Sequence, residues 1–268
     1  MPWCLNIHAS YRCRHAGACC RAAWMIPFED GTIAARDAHG ACTFLDGQTG
    51  LCSIHRAGGA QALPLTCRMF PRVVLKDGRG TFISLSHFCP TAASLLFDAP
   101  GGVTVVDAPA ALAAIGDLDG LDARGEWPPL LRPGVLMDLE SYGAWERLAV
   151  TALTAGDAAP PDALAALSDA TNAIAAWTPG DGPLLDGVHA AFGTLDDGGR
   201  IDSSREASAV KRWLAARLFG AWIAYQGDGL AATVRYLRSC LETFDREFDA
   251  DGSALEAIRR SDLRILHC

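Results

Sequence analysis

Cysteine is distributed unevenly along this chain, and this unevenness constrains the fold more than any other feature of the sequence. Eight of the ten cysteines lie in the first 89 residues, and none lies between residues 90 and 239. The densest stretch is YRCRHAGACC, residues 11–20, which holds three thiols among arginines and a histidine. A segment of this kind cross-links itself, holds a metal or carries out redox chemistry.

The overall composition excludes several classes of partner. The chain of 268 residues carries a net charge of −8, so it lacks the basic surface that attracts nucleic acids and anionic lipids. Its first residues, MPWCLNIHAS, show no basic and apolar signal segment, and no apolar run approaches the ~20 residues of a membrane helix. We therefore expect a cytoplasmic protein with no nucleic-acid or membrane partner.

A reducing cytoplasm makes metal binding the first interpretation of the clustered thiols. Structural disulfides are rare there, whereas thiolate is the soft ligand that zinc and iron–sulfur clusters prefer. Arg12, Arg14 and Arg21 flank the first three cysteines, and their charge favours the thiolate form. The adjacent Cys19 and Cys20 are expected to face different partners. Disulfides, and buried thiols packed as small apolar side chains, are the alternatives.

The change in composition also predicts two regions. The cysteine-rich part contains many turn residues and gives way, at FDAPGG in residues 97–102, to an alanine-rich part. We place a small irregular cysteine-rich α+β module at residues 1–98 and an α-helical domain at residues 99–268. The expected fold is mostly α, with the N-terminal metal-binding module packed on a C-terminal helical bundle.

Hydrophobic periodicity supports this division. Apolar residues recur at three- and four-residue spacing in five alanine-rich stretches, which predicts a helix in each. These stretches are residues 141–155, 161–177, 208–226, 229–248 and 253–266. In the first region, two β-rich runs around DGRG predict a hairpin over residues 72–86. A further helix is expected over residues 91–97, after Pro90.

The order of the cysteines and their neighbours resembles a known family. The pattern runs from C-x5-CC through CTFL at residues 42–45 to CRMFPR at residues 67–72. It is similar to the YkgJ-type cysteine-cluster family, a zinc- or iron-chelating domain. The run LCSIHRAGGAQALPLTCRMFPR, followed by SLSHFCPTAA, more closely resembles the cysteine-rich part of flagellin lysine-N-methylase (FliB)-like proteins. The resemblance covers residues 11–97.

The resemblance implies seven candidate metal ligands. They are Cys13, Cys19, Cys20, Cys42, Cys52, Cys67 and Cys89. The family pattern begins C-x2-C-x2-CC, whereas this chain has Ala16 in place of the second cysteine. Seven thiols still suffice for one four-thiolate cluster, with others to spare. His15, His55 and His87 are alternative ligands, since imidazole suits zinc and iron.

Other residues of interest are assigned structural roles. Cys240 lies inside a predicted helix and is expected in the core. Within CRMFPR, Phe70 and Pro71 are expected to wall off the metal centre, and Arg68 and Arg72 to balance its charge. Such surroundings influence the properties of a metal centre even though they do not bind the metal.

Three hypotheses about function follow. The first is a metal-binding protein whose clustered thiolates hold an iron–sulfur cluster of the 4Fe-4S type or a zinc ion, with the iron–sulfur cluster favoured. The second, implied by the resemblance alone, is a protein lysine N-methyltransferase that uses the cluster and S-adenosylmethionine on a protein substrate. The third is a thiol-based redox sensor. No catalytic or cofactor-binding residue is assigned, since no nucleotide-binding glycine loop or nucleophile elbow occurs.

Overall fold

The computed structural model describes residues 2–22, 24–99, 101–113, 119–193 and 204–267. Within these residues the chain forms α-helices and short β-strands. The helices are α1 Ala18–Arg21, α2 Ser53–Gly58, α3 Leu65–Met69, α4 Pro90–Asp98, α5 Ala110–Ala113, α6 Leu139–Thr154, α7 Pro160–Ala175, α8 Leu184–Gly193, α9 Arg205–Leu218, α10 Leu230–Asp251 and α11 Ala254–His267. The strands are β1 Pro2–Leu5, β2 Arg72–Asp77, β3 Gly80–Leu85, β4 Val105–Asp107, β5 Leu121–Asp122, β6 Leu130–Arg132 and β7 Val135–Leu136. The fold is mostly α with a small β component, as the sequence predicts.

Five of the strands form one mixed sheet in the order β4-β1-β3-β2-β5. β2 and β3 pair antiparallel from Arg72↔Leu85 to Asp77↔Gly80, which confirms the predicted hairpin. β1 lies parallel to β3 and antiparallel to β4, so the N-terminal strand has a neighbour on each side. The sequence does not predict β1, because PWCL is too short to show the alternation typical of a strand.

The long helices begin and end at residues suited to those positions. Asp138 accepts a hydrogen bond from the Ser141 backbone N–H at 2.7 Å and caps the start of α6. Pro90 is the first residue of α4, and Gly252 ends α10 in a left-handed conformation. The predicted helices are present as α4, α6, α7, α9, α10 and α11. No helix in the described part of the chain is long and apolar enough to cross a membrane.

One predicted helix ends earlier than its periodicity suggests. The pattern predicts a helix over residues 208–226, whereas α9 ends at Leu218. Gly220 has a φ of 64°, a left-handed conformation that interrupts the helix. A Cβ atom at Gly220 would lie 3.1 Å from the Cβ atom of Phe82, so the glycine lets the chain pass close to the sheet. A 3-10 turn follows at Trp222–Tyr225.

One hydrophobic cluster includes side chains from both the sheet and the helices. Phe82 of β3 shares this cluster with Trp145 of α6 and Trp213 of α9. The Arg217 guanidinium of α9 donates a hydrogen bond to the Leu85 carbonyl of β3 at 2.7 Å. Apolar packing and a hydrogen bond therefore join β3 to α6 and α9. The domain boundary near residue 98 stays a prediction.

The segment between β1 and β2 has little regular structure. Its helices α1, α2 and α3 contain only 4, 6 and 5 residues. Isolated β-bridges join Pro27 to Ile33, Arg36 to Cys42 and Leu45 to Cys52. Its own hydrophobic cluster is built on Cys20, Ile26, Ala34 and Cys42. Because so small an apolar core provides little stability, a bound metal would contribute directly to folding.

Candidate metal centre

Turns built around aspartates shape the segment that carries Cys42 and Cys52. The carboxylates of Asp30, Asp37 and Asp46 each accept hydrogen bonds from following backbone N–H groups at 2.8–3.0 Å. These bonds, together with one from a threonine hydroxyl to Asp30, hold the pKa of each carboxyl below its usual value. The turn at Asp37 precedes Cys42, and the turn at Asp46 precedes Cys52. An aspartate whose carboxylate accepts from the backbone N–H two residues on is a local turn signal, and it can be recognised in a sequence before the fold is known.

Backbone and arginine contacts hold the α1 turn against Cys42. The Cys42 N–H donates to the Cys20 carbonyl at 2.8 Å. The Arg36 guanidinium donates to the same carbonyl at 3.0 Å. Gly17 precedes α1 with a φ of 69°, in the left-handed region that favours glycine. These contacts place Cys20, near the start of the cysteine pattern, beside Cys42, near its middle.

Five of the candidate thiols belong to one apolar cluster, and we call them the inner thiols. They are Cys19, Cys20, Cys42, Cys52 and Cys67. Burial raises the pKa of Cys67 to about 12, and the charges of Cys20, Cys52 and Cys42 add to the effect of burial. Cys67 therefore lies within electrostatic reach of three other inner thiols.

The adjacent cysteines of α1 face the same space. Cys19 Sγ and Cys20 Sγ lie 3.9 Å apart, whereas we expected them to face different partners. A hydrogen bond with Cys19 and then burial raise the pKa of Cys20, while Arg21 and Arg36 oppose the rise. Cys20 is therefore a protonated thiol at neutral pH.

Cys13 and Cys89 lie beside Tyr11, and we call them the outer thiols. The Tyr11 hydroxyl is 3.7 Å from Cys89 Sγ, and the His15 backbone N–H donates to Cys13 Sγ at 3.4 Å. Burial, followed by the charges of Cys89 and Cys13, raises the pKa of Tyr11. Its hydroxyl therefore stays protonated and can donate a hydrogen bond to sulfur. The sequence does not single out Tyr11, because Cys89 lies far along the chain.

A cavity of about 570 Å³ brings the two groups of thiols together. The candidate cysteines that line it are Cys13, Cys19, Cys20, Cys52, Cys67 and Cys89. Cys42 does not line the cavity, but it is 5% exposed and shares an apolar cluster with Cys20. Ala16 also lines the cavity, so the missing second cysteine of the pattern corresponds to a position on the same wall.

Two of the three alternative histidine ligands also line the cavity. The rings of His15 and His55 lie with their centroids 4.4 Å apart. His87 is fully buried and bonded elsewhere, with its Nε2 3.2 Å from His8 Nε2 and its Nδ1 3.2 Å from Asp262 Oδ2. His87 therefore contacts α11 through Asp262 and does not line the cavity.

The comparison with known proteins agrees with this arrangement of thiols. Residues 12–90 match a known family. Its model is described as "CxxCxxCC: Putative zinc- or iron-chelating domain", and the match includes all seven candidate cysteines in less than a third of the chain. The match supports metal binding through the cysteines and confirms the resemblance to the cysteine-cluster family. No curated protein and no solved structure matches the chain, and nothing supports the closer resemblance to flagellin methylases.

The side chains of residues 12–90, which we call the cysteine-rich segment, fit a thiolate-bound metal. Sulfur is the soft ligand that zinc and iron–sulfur clusters prefer, and no aspartate or glutamate is among the described residues that line the cavity. Among the described residues, no three histidine, cysteine, aspartate or glutamate side chains already stand close enough to share one metal ion. The thiols border a space rather than converge on a point.

Aromatic rings cover one side of the cysteine-rich segment. Phe70 lines the cavity, as expected for a residue that walls off the centre, and its ring centroid lies 5.2 Å from that of Trp24. Phe88 lies 6.4 Å from Phe70 between ring centroids. His267, the last residue of α11, lies 4.8 Å from Trp24 between ring centroids with the two rings tilted, and the Ser86 hydroxyl is 2.9 Å from its Nε2. The last helix therefore contacts the cysteine-rich segment.

Proposed function

We propose that the cysteine-rich segment holds a metal centre through four of the inner thiols. These four are Cys20, Cys42, Cys52 and Cys67. The observation that carries the proposal is that all four belong to one apolar cluster, in which the Cys42 N–H donates to the Cys20 carbonyl at 2.8 Å. Four thiolates form the ligand set both of a structural zinc ion and of a 4Fe-4S cluster. The remaining three candidate thiols line the cavity that Cys20, Cys52 and Cys67 also border.

An iron–sulfur cluster accounts for the shape of the site better than a single zinc ion does. Zinc draws four sulfurs to ~2.3 Å from one point. Here three of the four proposed ligands, Cys20, Cys52 and Cys67, border a cavity of about 570 Å³, which has room for a centre made of several atoms. When bound, such a cluster supplies one-electron chemistry, and any bound metal links the loops that carry its ligands.

Arg21 and Arg36 are placed to offset the negative charge of such a centre. Both arginines lower the pKa of Cys20, and Arg36 also lowers that of Cys67, against the larger effects that raise them. Guanidinium groups near sulfur favour the thiolate form that binds metal. Phe70 covers part of the cavity, and limited access of water is one of the factors that set the reduction potential of a cluster.

Metal analysis of cysteine variants tests the proposal. Anaerobically purified wild-type protein should contain iron and acid-labile sulfide and absorb near the ~400 nm region of cluster charge transfer. Cys42→Ser and Cys67→Ser should each lose most of the iron and sulfide, because each removes a ligand. Cys240→Ser is the matched control, since Cys240 is a buried thiol of α10 outside the segment, and it should retain both.

The metal content of these proteins distinguishes an iron–sulfur cluster from a zinc ion. About one zinc ion per chain, lost in the two ligand variants, would support a thiolate site but contradict the iron–sulfur form. Wild-type protein without either metal would contradict the proposal as a whole. Full metal content in both Cys42→Ser and Cys67→Ser would also contradict the proposal as a whole.

Metal binding should release protons and strengthen as the pH rises. The pKa of Cys67 is raised to about 12 and that of Cys20 is also raised, so both thiols are protonated at neutral pH without metal. Binding needs the thiolates, and each proton released increases the affinity about tenfold per pH unit. Co²⁺ titrations of metal-free protein between about pH 6.5 and 8.5 measure this slope. Cys67→Ser should show a smaller slope, and an affinity independent of pH would contradict the expectation.

A further inference from the structure

The cavity offers groups that the metal centre does not need. Its volume of about 570 Å³ lies within the ~300–1,000 Å³ range of small-molecule sites. Besides the thiols, its wall includes Arg12, Arg68 and Arg72, together with Gln61 and Thr91. The size of the cavity and its polar lining therefore suit a small molecule bound beside the thiols.

The three arginines of the wall have no carboxylate beside them in the cavity. Among the described lining residues there is no aspartate or glutamate. Arg72 donates its hydrogen bonds to backbone carbonyl oxygens at 2.8–3.4 Å, and Arg12 donates to another carbonyl at 2.7 Å. Arg68 Nε is buried and has no hydrogen-bond partner among the described residues. A buried donor without an acceptor is costly, and a bound oxyanion would supply the acceptor.

The positive charges of the cavity wall are not explained by the need to balance the inner thiols. Arg21 and Arg36 are the cations that act on Cys20, and neither of them lines the cavity. Arg72 instead faces Tyr11 and Cys13, on the side of the outer thiols. The arginines of the wall therefore add positive charge beyond the pair that already faces the inner thiols.

We propose that Arg12, Arg68 and Arg72 bind the carboxylate or phosphate group of a small anionic molecule inside the cavity. The planar guanidinium presents paired N–H donors that match the oxygens of either group. Arg72 is held in place by its bonds to carbonyl oxygens, so its charge is positioned before the ligand arrives. This anion site does not depend on which metal the thiols hold.

Calorimetric titration of the full chain at low ionic strength tests the site, with succinate and inorganic phosphate as separate probes. At least one probe should bind saturably, and the stronger of the two identifies the preferred group. Arg68→Gln and Arg12→Gln should each weaken that binding by about fivefold or more. Arg56→Gln is the matched control, because Arg56 of the neighbouring α2 is exposed, lies outside the cavity wall and pairs with Asp46.

Three results would overturn the anion site. They are no saturable binding of either probe, unchanged binding in Arg12→Gln, and an equal loss in Arg56→Gln. Arg12 is exposed, so its variant tests the charge even if Arg68→Gln does not fold. Metal analysis of the same samples separates the two proposals. Anion binding by a metal-free chain contradicts only the metal centre, and a metal-loaded chain that binds neither probe contradicts only the anion site.

Discussion

Replacing Asp262 with alanine should lower the free energy of unfolding by about 3–5 kcal/mol, because it leaves buried partners of a charge network unpaired. Asp262 lies on α11 and is fully buried. Its carboxylate accepts a hydrogen bond from Trp213 Nε1 at 2.7 Å and lies 3.6 Å from Arg217 Nε. It also accepts from the backbone N–H of His87, two residues before Cys89. The variant would therefore leave Arg217 as a buried charge without its counter-ion.

The pH dependence of this network follows from the pKa of Asp262. Burial alone would raise that pKa, but Arg217, His87 and Trp213 together hold it at about 2. A carboxyl with a depressed pKa stabilises the fold above its unfolded pKa of ~4, and this contribution is lost as the pH falls toward 2. The stability difference between the wild type and Asp262→Ala should therefore shrink in acid.

Urea denaturation monitored by circular dichroism measures the effect of Asp262→Ala. Asp228→Ala is the control, because Asp228 forms an exposed ion pair with Arg235 at 3.0 Å. Exposed pairs contribute about 0–1 kcal/mol, so this variant should remain close to the wild type. If the two aspartate variants lose equal stability, the buried network has no special role.

Arg79→Ala should be similarly destabilising, by about 3–5 kcal/mol, because two buried carboxylates depend on this guanidinium. Arg79 lies in the turn of the β2–β3 hairpin and pairs with Asp77 at 2.7 Å and with Glu146 of α6 at 2.8 Å. Both carboxylate side chains are almost fully buried. The guanidinium also lies 4.3 Å from the ring centroid of Phe82 and 4.4 Å from that of Tyr142. The variant would therefore weaken the attachment of the hairpin to α6.

The same denaturation experiment applies to Arg79, with Arg124→Ala as its control. Arg124 pairs with Asp122 at 2.5 Å, but both side chains are largely exposed. Because exposed ion pairs contribute little to stability, that variant should remain close to the wild type. A loss in Arg79→Ala no greater than in Arg124→Ala would contradict the importance of the buried pair.

Local signals in the sequence predict the helices and the hairpin, but not the contacts between distant segments. Asp138 and Gly252 mark helix ends because capping depends on nearby residues. The early end of α9 at Leu218 depends instead on the approach of Gly220 to Phe82, which lies in another part of the chain. Helical periodicity does not contain that information.

In the candidate site too, local sequence signals predict some features, whereas others depend on contacts between distant segments. The spacing of the cysteines and CRMFPR locates the segment that carries the thiols, and the family match agrees with it. The grouping of Cys67 with inner thiols, and of Cys89 with Tyr11, follows only from tertiary packing. Arg36 is another example, because its contact with the Cys20 carbonyl joins residues on different turns.

The position of β1 has a consequence for the entropy of metal capture. The chain leaves the sheet after Leu5 and returns at Arg72, and β3 lies between these two strands. The sheet therefore holds the two ends of the cysteine-bearing segment between β1 and β2 about 10 Å apart, at twice the usual strand spacing. The sheet has already closed the largest loop, so a metal bound as proposed would need to close only the shorter loops inside it. The strands, which supply none of the proposed ligands, would thereby lower the entropic cost of gathering the thiols.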